Sequence, residues 1–281
     1  MTRVFLTGHS GFIGSYFIRY FENYFKIITF NKRINKENYS DLLNFESANV
    51  VVHAAAKTSI SSSWSNPEKM IENNIFLTKS IIDYCLKNNA FLIYISSYLY
   101  GEARCLPTPE TEELKINNPY SQSKKICEEI CLFHRKNSGL NVTLIRPFNI
   151  YGYFKSNNQL IMTIINQIIK KKEIIVSDLN PRRDWLYIKD FCDLLQIIIN
   201  KMITNEIFNA GSGKNYSVDE IIQIIQKIYS SNLPVTCLNE ERKNEIFETK
   251  ADISKAKKLL KWEPVWSIEE GINDTLKQLK K

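Results

Sequence analysis

Short apolar runs alternate along the first half of the chain with longer stretches in which apolar positions recur every three or four residues. Runs of the first kind read as strands buried on both faces, and stretches of the second as helices with one apolar side. Val4-Phe5-Leu6 sets a first strand over 3–7, followed by a helix over 12–21. Further strands are predicted at 26–30, 50–53, 91–95 and 142–145, with helices over 68–87 and from Pro119 to about 136. Proline suits a first helical turn, where its missing N–H costs nothing. This alternation predicts an α/β fold, a doubly wound parallel sheet of Rossmann type with right-handed crossovers.

After Arg146-Pro147 the pattern loosens. Helices are expected at 159–171, 189–202, 218–229, 253–260 and 268–279, with short strands near 174–176 and 207–209. Ser217-x-x-Glu220 and Ser267-x-x-Glu270 have the form of capping boxes. There is no internal repeat, low-complexity linker or charge block, so a smaller C-terminal α/β lobe is expected to fold onto the first. The expected boundary puts residues 1–152 in one domain, with the chain returning to it around 184–210, and 153–281 mainly in the lobe.

Thr7-Gly8-His9-Ser10-Gly11-Phe12-Ile13-Gly14 follows the first strand directly. A strand, a tight glycine turn and a helix N-terminus make a geometry suited to a pyrophosphate. The spacing is G-x-x-G-x-x-G, not G-x-G-x-x-G, and by itself also fits a glycine-rich turn with no ligand. A second pattern changes that balance. Tyr120 and Lys124 stand at i and i+4 at the start of a helix, on one face. A free tyrosine has a pKa of about 10, and a nearby ammonium would lower it towards a useful acid/base. Ser96 and Ser97 end a strand on the carboxyl edge of the sheet, where such sheets bind ligands.

Composition narrows the field. The chain has 281 residues, of which 44% are hydrophobic, enough for a sizeable core. No apolar run approaches the roughly 20 residues that span a bilayer, and no signal-peptide pattern opens the chain, so no membrane partner and a cytoplasmic location are expected. The net charge of +7 is scattered; Lys170-Lys171-Lys172 fits an exposed helix end, and no basic stripe with stacking aromatics points to nucleic acid. A mildly basic protein suits an anionic small ligand. The six cysteines form no C-x-x-C pair and no zinc set, and read as reduced thiols. Asn141-Val142-Thr143 is taken as a chance glycosylation triplet.

These blocks together resemble the extended short-chain dehydrogenase/reductase family, in particular its nucleotide-sugar epimerases, dehydratases and ketoreductases. The resemblance rests on 7–14, His53-Ala54-Ala55-Ala56, the SSYLYG stretch of 96–101, 120–124, the RPFNIYG stretch of 146–152, the RDWLYI stretch of 183–188 and the ADISKA stretch of 251–256. It implies that Tyr120 is the acid/base, that Lys124 holds the nicotinamide ribose and tunes Tyr120, and that a serine orients the sugar oxygen. Ser97 is favoured over Ser96. The dinucleotide would lie on Gly8, Ser10, Gly11, Phe12, Ile13 and Gly14, with Ala54, Ala55, Ala56 and Asn73 alongside. Asn149, Arg183 and Arg242 would hold the substrate pyrophosphate, for which a planar bidentate donor is suited. His53 is expected to pack beside the cofactor as a structural residue.

Two departures carry information. NAD-binding relatives place an Asp at the end of the second strand; here Phe30-Asn31-Lys32-Arg33 offers no acid, and Lys32 or Arg33 could pair with a 2′-phosphate. The expectation is NADP(H), with NAD(H) possible. Dehydratases of the family need an Asp-Glu pair after the catalytic Ser/Thr, and this chain has Tyr98-Leu99. What remains is hydride chemistry at carbon 4. An NADPH-dependent reductase of an NDP-4-keto-6-deoxy sugar is the first expectation, and a 4-epimerase with tightly bound NAD the alternative. A non-catalytic dinucleotide- or RNA-binding protein of the same fold is a distant third. The resemblance also implies a homodimer through a four-helix bundle built from 68–87 and 120–136.

Overall fold

A computed structural model of the chain describes residues 1–154, 159–170, 173–240 and 245–279. The order is β1 (Arg3–Thr7), α1 (Phe12–Phe21), β2 (Lys26–Ile28), α2 (Tyr39–Leu43), β3 (Val50–His53), α3 (Ile60–Ser65), α4 (Pro67–Asn88), β4 (Phe91–Ile95), α5 (Pro119–Ser138) and β5 (Val142–Pro147). It continues with β6 (Asn149–Tyr151), α6 (Leu160–Ile169), β7 (Ile174–Val176), β8 (Arg182–Arg183), β9 (Trp185–Tyr187), α7 (Ile188–Lys201), β10 (Ile207–Ala210), β11 (Tyr216–Ser217), α8 (Val218–Tyr229), β12 (Val235–Cys237), α9 (Ser254–Leu260) and α10 (Ile268–Leu279).

The chain forms two compact units. The first holds Met1–Gly101, Leu114–Pro147 and Leu194–Phe208, and the second Glu102–Glu113, Phe148–Asp193 and Asn209–Lys281. In the first, a parallel sheet runs in the order β10-β5-β4-β3-β1-β2. The chain steps outward from β1 to β2, then crosses to β3 on the other side of β1. That reversal is the switch point at which open α/β sheets form a crevice beyond the strand carboxyl ends. The turns leaving β1 and β3 stand on its two sides, so the glycine turn at 8–14 and the alanines at 54–56 become neighbours.

Burial follows the strand pattern. Every residue of β3, β4 and β5 is buried, as expected where helices cover both faces. Phe5, Val51, Tyr84, Leu92 and Leu144 belong to one apolar cluster that fixes α4 against the sheet. In the second unit the strands pair in twos: β11 antiparallel with β8, β12 parallel with β7, β6 parallel with β9.

Some bounds differ from expectation. The second strand stops at Ile28, not residue 30. It is an edge strand with a neighbour on one side only, and beyond it the Thr29 hydroxyl turns to Asn31 Oδ1 at 3.2 Å. Helix α6 ends at Ile169 with Lys170 as its cap; Lys171 and Lys172 lie outside the described residues. Both expected capping boxes form, at Ser217–Glu220 and Ser267–Glu270. A third, unforeseen one starts α5: the Asn118 side chain accepts from Ser121 N at 2.8 Å, and the Ser121 hydroxyl reaches back to Asn118 N.

Candidate active site

The glycine turn is built as a close approach of backbone to backbone. Gly8 has φ +73°, and a Cβ there would stand 2.7 Å from Ala55 N. A Cβ on Gly14 would fall 2.2 Å from the Gly8 carbonyl oxygen, and one on Gly11 3.2 Å from the same atom. Gly11 caps α1, and as a glycine it makes no side-chain hydrogen bond to that helix end. Beside the turn lies a cavity of about 520 Å³, walled by Gly8, Ser10, Asn31, Lys32, Arg33, Ala55, Ala56, Asn73 and Asn74, among others. Phe12, Ile13 and Gly14 form the first turn of α1, and the Ala54 backbone lies close to Gly8. A glycine-capped helix N-terminus beside a cavity of this volume fits a nicotinamide dinucleotide.

The basic residues expected at a 2′-phosphate are differently engaged. Lys32 pairs with Asp41 at 2.8 Å, while Arg33 Nη2 donates to Asn73 Oδ1 at 3.3 Å. Asn73 therefore meets the segment beyond β2 through Arg33.

At the carboxyl end of β4 the structure brings Ser97, Tyr120 and Lys124 together. The Ser97 hydroxyl stands near enough to the Tyr120 phenol to draw its pKa down. Ser96, 3% exposed, has no hydrogen-bond partner for its hydroxyl among the described residues. Lys124 is buried; its Nζ donates to the Ile95 carbonyl at 2.6 Å and lies 4.4 Å from the centre of the Tyr94 ring. Burial pulls its ammonium down to about 8. The expected lowering of Tyr120 by Lys124 is not what the protein alone exhibits. Burial raises the phenol above its ordinary value, and the opposing pull comes from Ser97. The reason is geometric: the Lys124 ammonium is directed to a backbone carbonyl at the strand end.

The second unit contains its own cavity, of about 690 Å³, between β6, β7, β9 and the chain near 245. Asn149 and Arg183 both line it, at the ends of adjacent pairs. Asn149 Nδ2 donates to the Asp184 carbonyl at 3.1 Å. Arg183 pairs with Glu245 and donates to the Phe247 carbonyl at 3.1 Å. Trp185 lines the same cavity, and its buried indole N–H has no acceptor among the described residues. Arg242 lies outside the described residues.

Residues 4–211 match the model of the "NAD dependent epimerase/dehydratase family". The chain belongs to this family. Among its relatives, the UDP-glucuronate 4-epimerase of Thermodesulfobacterium geofontis is 32% identical over 272 residues, covering 90% of this chain and 82% of that one. The GDP-6-deoxy-D-talose 4-dehydrogenase of Aggregatibacter actinomycetemcomitans is 28% identical over 263 residues, covering 89% and 86%. Among solved structures, RMD from Pseudomonas aeruginosa, complexed with NADPH, shares the fold with a TM-score of 0.91 at 22% identity, over 99% of this chain and 98% of that one. No described helix is long and apolar enough to cross a membrane.

Three residues around the family's site were not singled out by the sequence pattern. Asn74, 3% exposed, accepts from Lys57 N at 2.9 Å and donates to the Ser123 hydroxyl at 2.9 Å, tying α4 to the chain leaving β3 and to α5. The resemblance points to its neighbour Asn73; burial distinguishes the two, since α4 turns Asn74 inward. Glu128 and Asp184 are fully buried carboxylates that the sequence offers as ordinary charges. Buried partners at distances of 18 to 67 residues in the chain identify them, and no local signal does.

Proposed function

We propose that the protein is an oxidoreductase acting at carbon 4 of a nucleotide-linked sugar, reducing an NDP-4-keto-6-deoxy sugar with NADPH. The observation that carries this reading is the placing of Ser97 beside the Tyr120 phenol, with Lys124 one helical turn along, at the carboxyl end of β4. The turn of Gly8–Gly14 with Ala54, Ala55 and Ala56 would hold the dinucleotide. When bound, the cofactor supplies the hydride. A phenol raised by burial is protonated at neutral pH, which suits Tyr120 to give its proton to the sugar oxygen as the carbonyl is reduced. Ser97 would orient that oxygen. Lys124 would donate to the cofactor's ribose and present a positive charge beneath Tyr120 as the proton leaves.

Asn149 and Arg183 would receive the substrate diphosphate, Arg183 as a bidentate donor; Arg242 is proposed as a second clamp. The absence of a carboxylate at Asn31, with Arg33 beside it, supports NADP(H) over NAD(H). Tyr98 and Leu99 carry no carboxyl group for water elimination; the Tyr98 hydroxyl is spent on the Gly101 carbonyl at 2.8 Å, and Leu99 is buried. A homodimer through α4 and α5 is proposed on family resemblance, and a monomeric mass by light scattering would remove it.

A second reading, a 4-epimerase with tightly held NAD, is favoured by the 32% identical 4-epimerase relative. One assay separates the two. Purified protein is mixed with NADPH and UDP-, dTDP-, GDP- or CDP-linked 4-keto sugars. Stoichiometric loss of NADPH supports the reductase. Interconversion of 4-epimeric sugars with catalytic or pre-bound cofactor supports the epimerase. Neither outcome with any nucleotide sugar, despite dinucleotide binding, favours a non-catalytic role.

A further inference from the structure

The buried histidine of β3 plays no part in the chemistry above, yet it sits between the two walls of the dinucleotide crevice. His53 is 1% exposed. Its Nδ1 lies 2.7 Å from the Thr7 hydroxyl, and its Nε2 lies 3.2 Å from the Thr78 hydroxyl. Thr7 is the last residue of β1, immediately before Gly8; Thr78 is on α4. The Thr7 hydroxyl also accepts from Ala55 N at 3.2 Å. Ala55 N is the atom that a Cβ on Gly8 would meet first.

One hydroxyl thus joins the exits of β1 and β3, and the imidazole holds that hydroxyl from behind. We infer that His53 is a positioning residue: a neutral imidazole, protonated on Nε2, that fixes the separation between the glycine turn and the alanine wall by hydrogen-bonding Thr7 and Thr78. The assignment of the proton follows from donors and distances. Thr7 accepts from Ala55, which leaves its O–H free to donate, and 2.7 Å is the length of a good hydroxyl donation. Nδ1 is then the acceptor, and Nε2 carries the hydrogen and donates to Thr78 at a longer N–H distance.

The surroundings keep the ring uncharged. Burial depresses its pKa to about 3, and the Lys124 ammonium on α5 adds to the effect. From β4, Tyr94 packs its ring 5.6 Å from the imidazole, and its phenol is pushed upward by burial and so brings no negative charge. A charged imidazole would donate from both nitrogens and leave the Thr7 O–H hydrogen without its acceptor.

This inference rests on the family's use of a dinucleotide, and two measurements keep the two ideas apart. The first is long-range proton–nitrogen NMR of the uniformly ¹⁵N-labelled full chain, which has three histidines; the resonances lost in His53→Gln identify the ring. The expected pattern is a neutral Nε2–H tautomer that does not titrate between pH 5 and 8. An Nδ1–H tautomer, or a ring that titrates in that range, overturns the inference.

The second is the affinity for NADPH and for NADH, read from cofactor fluorescence, in wild type, Thr7→Val and His53→Phe. Thr7→Val keeps the shape of the side chain and removes the linking hydroxyl, so it remains informative if His53→Phe fails to fold. Loss of one to two hydrogen bonds is expected to weaken both dinucleotides alike, by about tenfold. Unchanged dissociation constants in a folded Thr7→Val protein would sink the positioning role. Wild-type protein that binds neither dinucleotide would overturn the cofactor reading, and the positioning role with it, while the NMR result would still report the tautomer.

Discussion

The guanidinium of Arg146 grips the carboxylate of Glu128 inside the first unit, with Nη2 2.7 Å from Oε2 and Nε 3.0 Å from Oε1. Both side chains are almost fully buried, and Arg146 Nη1 also reaches the Tyr100 hydroxyl at 3.2 Å. The pair joins β5 to α5 one turn beyond Lys124, so the helix carrying Tyr120 and Lys124 is anchored to the sheet by a two-pronged charge contact. Removing one partner leaves the other charge buried and unpaired. Arg146→Met is expected to cost about 3–5 kcal/mol in urea unfolding, and adding Glu128→Leu to recover most of that loss. A single variant as stable as wild type would contradict this account.

Asp184, between β8 and β9, is a buried acceptor for four donors. Its oxygens take Ser212 N at 2.6 Å, Ser212 Oγ at 2.8 Å, Ala251 N at 2.9 Å and Gly213 N at 3.0 Å. Burial nevertheless raises its pKa to about 6, above the 3.8 of an ordinary aspartate. Between these two values the folded chain holds more protons than the unfolded chain, so the contribution of Asp184 to stability falls as pH rises through that window. The fall is at most on the order of 3 kcal/mol. Subtracting the unfolding free energy of Asp184→Asn from that of wild type at each pH isolates it. The variant itself should lose about 1–3 kcal/mol, because an amide NH₂ would face backbone N–H groups. A difference that does not vary between pH 4 and 6 would refute the assignment.

Arg33 and Lys32 should not be equivalent. Lys32 is already paired with Asp41, whereas Arg33 faces Asn73 on the wall of the crevice. Arg33→Ala is expected to raise the NADPH dissociation constant by at least about tenfold and to leave NADH nearly unchanged, since only the former has a 2′-phosphate. Lys32→Ala should do less. Equal weakening of both cofactors by Arg33→Ala would argue against an NADP preference.

Two glycine substitutions should differ sharply. Gly14→Ala would drive a methyl into the Gly8 carbonyl, with no flexible side chain to yield. Dinucleotide binding should be lost and the thermal midpoint lowered. Gly139, the cap of α5, has φ +70° but nothing within reach of a Cβ. Gly139→Ala should cost only the left-handed strain, about 1–2 kcal/mol, and leave cofactor affinity intact.

Tyr120→Phe keeps the ring and removes the proton. Turnover on whichever nucleotide sugar proves active should fall at least about 100-fold with cofactor affinity unchanged. Retained activity would mean that another group moves the proton.

The hydrophobic pattern by itself determined the parallel-sheet core. β1, β3, β4, α1, α8 and α10 stand where the apolar periods put them, because strands buried on both faces and strongly amphipathic helices are local properties. The glycine spacing and the Tyr120–Lys124 interval were equally local, as turn geometry and helical period need only a few neighbouring residues. Strands such as β6, β8, β9 and β11 are two or three residues long, too short to leave a period, and exist because another segment pairs with them.

Only the tertiary structure decided which polar groups matter inside. His53 looked like a packing residue until Thr7 and Thr78 arrived from 46 and 25 residues away. Glu128 and Arg146, and Asp184 with Ala251, are likewise partners across the fold. The same holds for the engagement of Lys32 by Asp41 and for the Ile95 carbonyl that receives Lys124. A sequence fixes which groups can donate, accept or carry charge, but the cost of burying each one depends on what the fold sets against it.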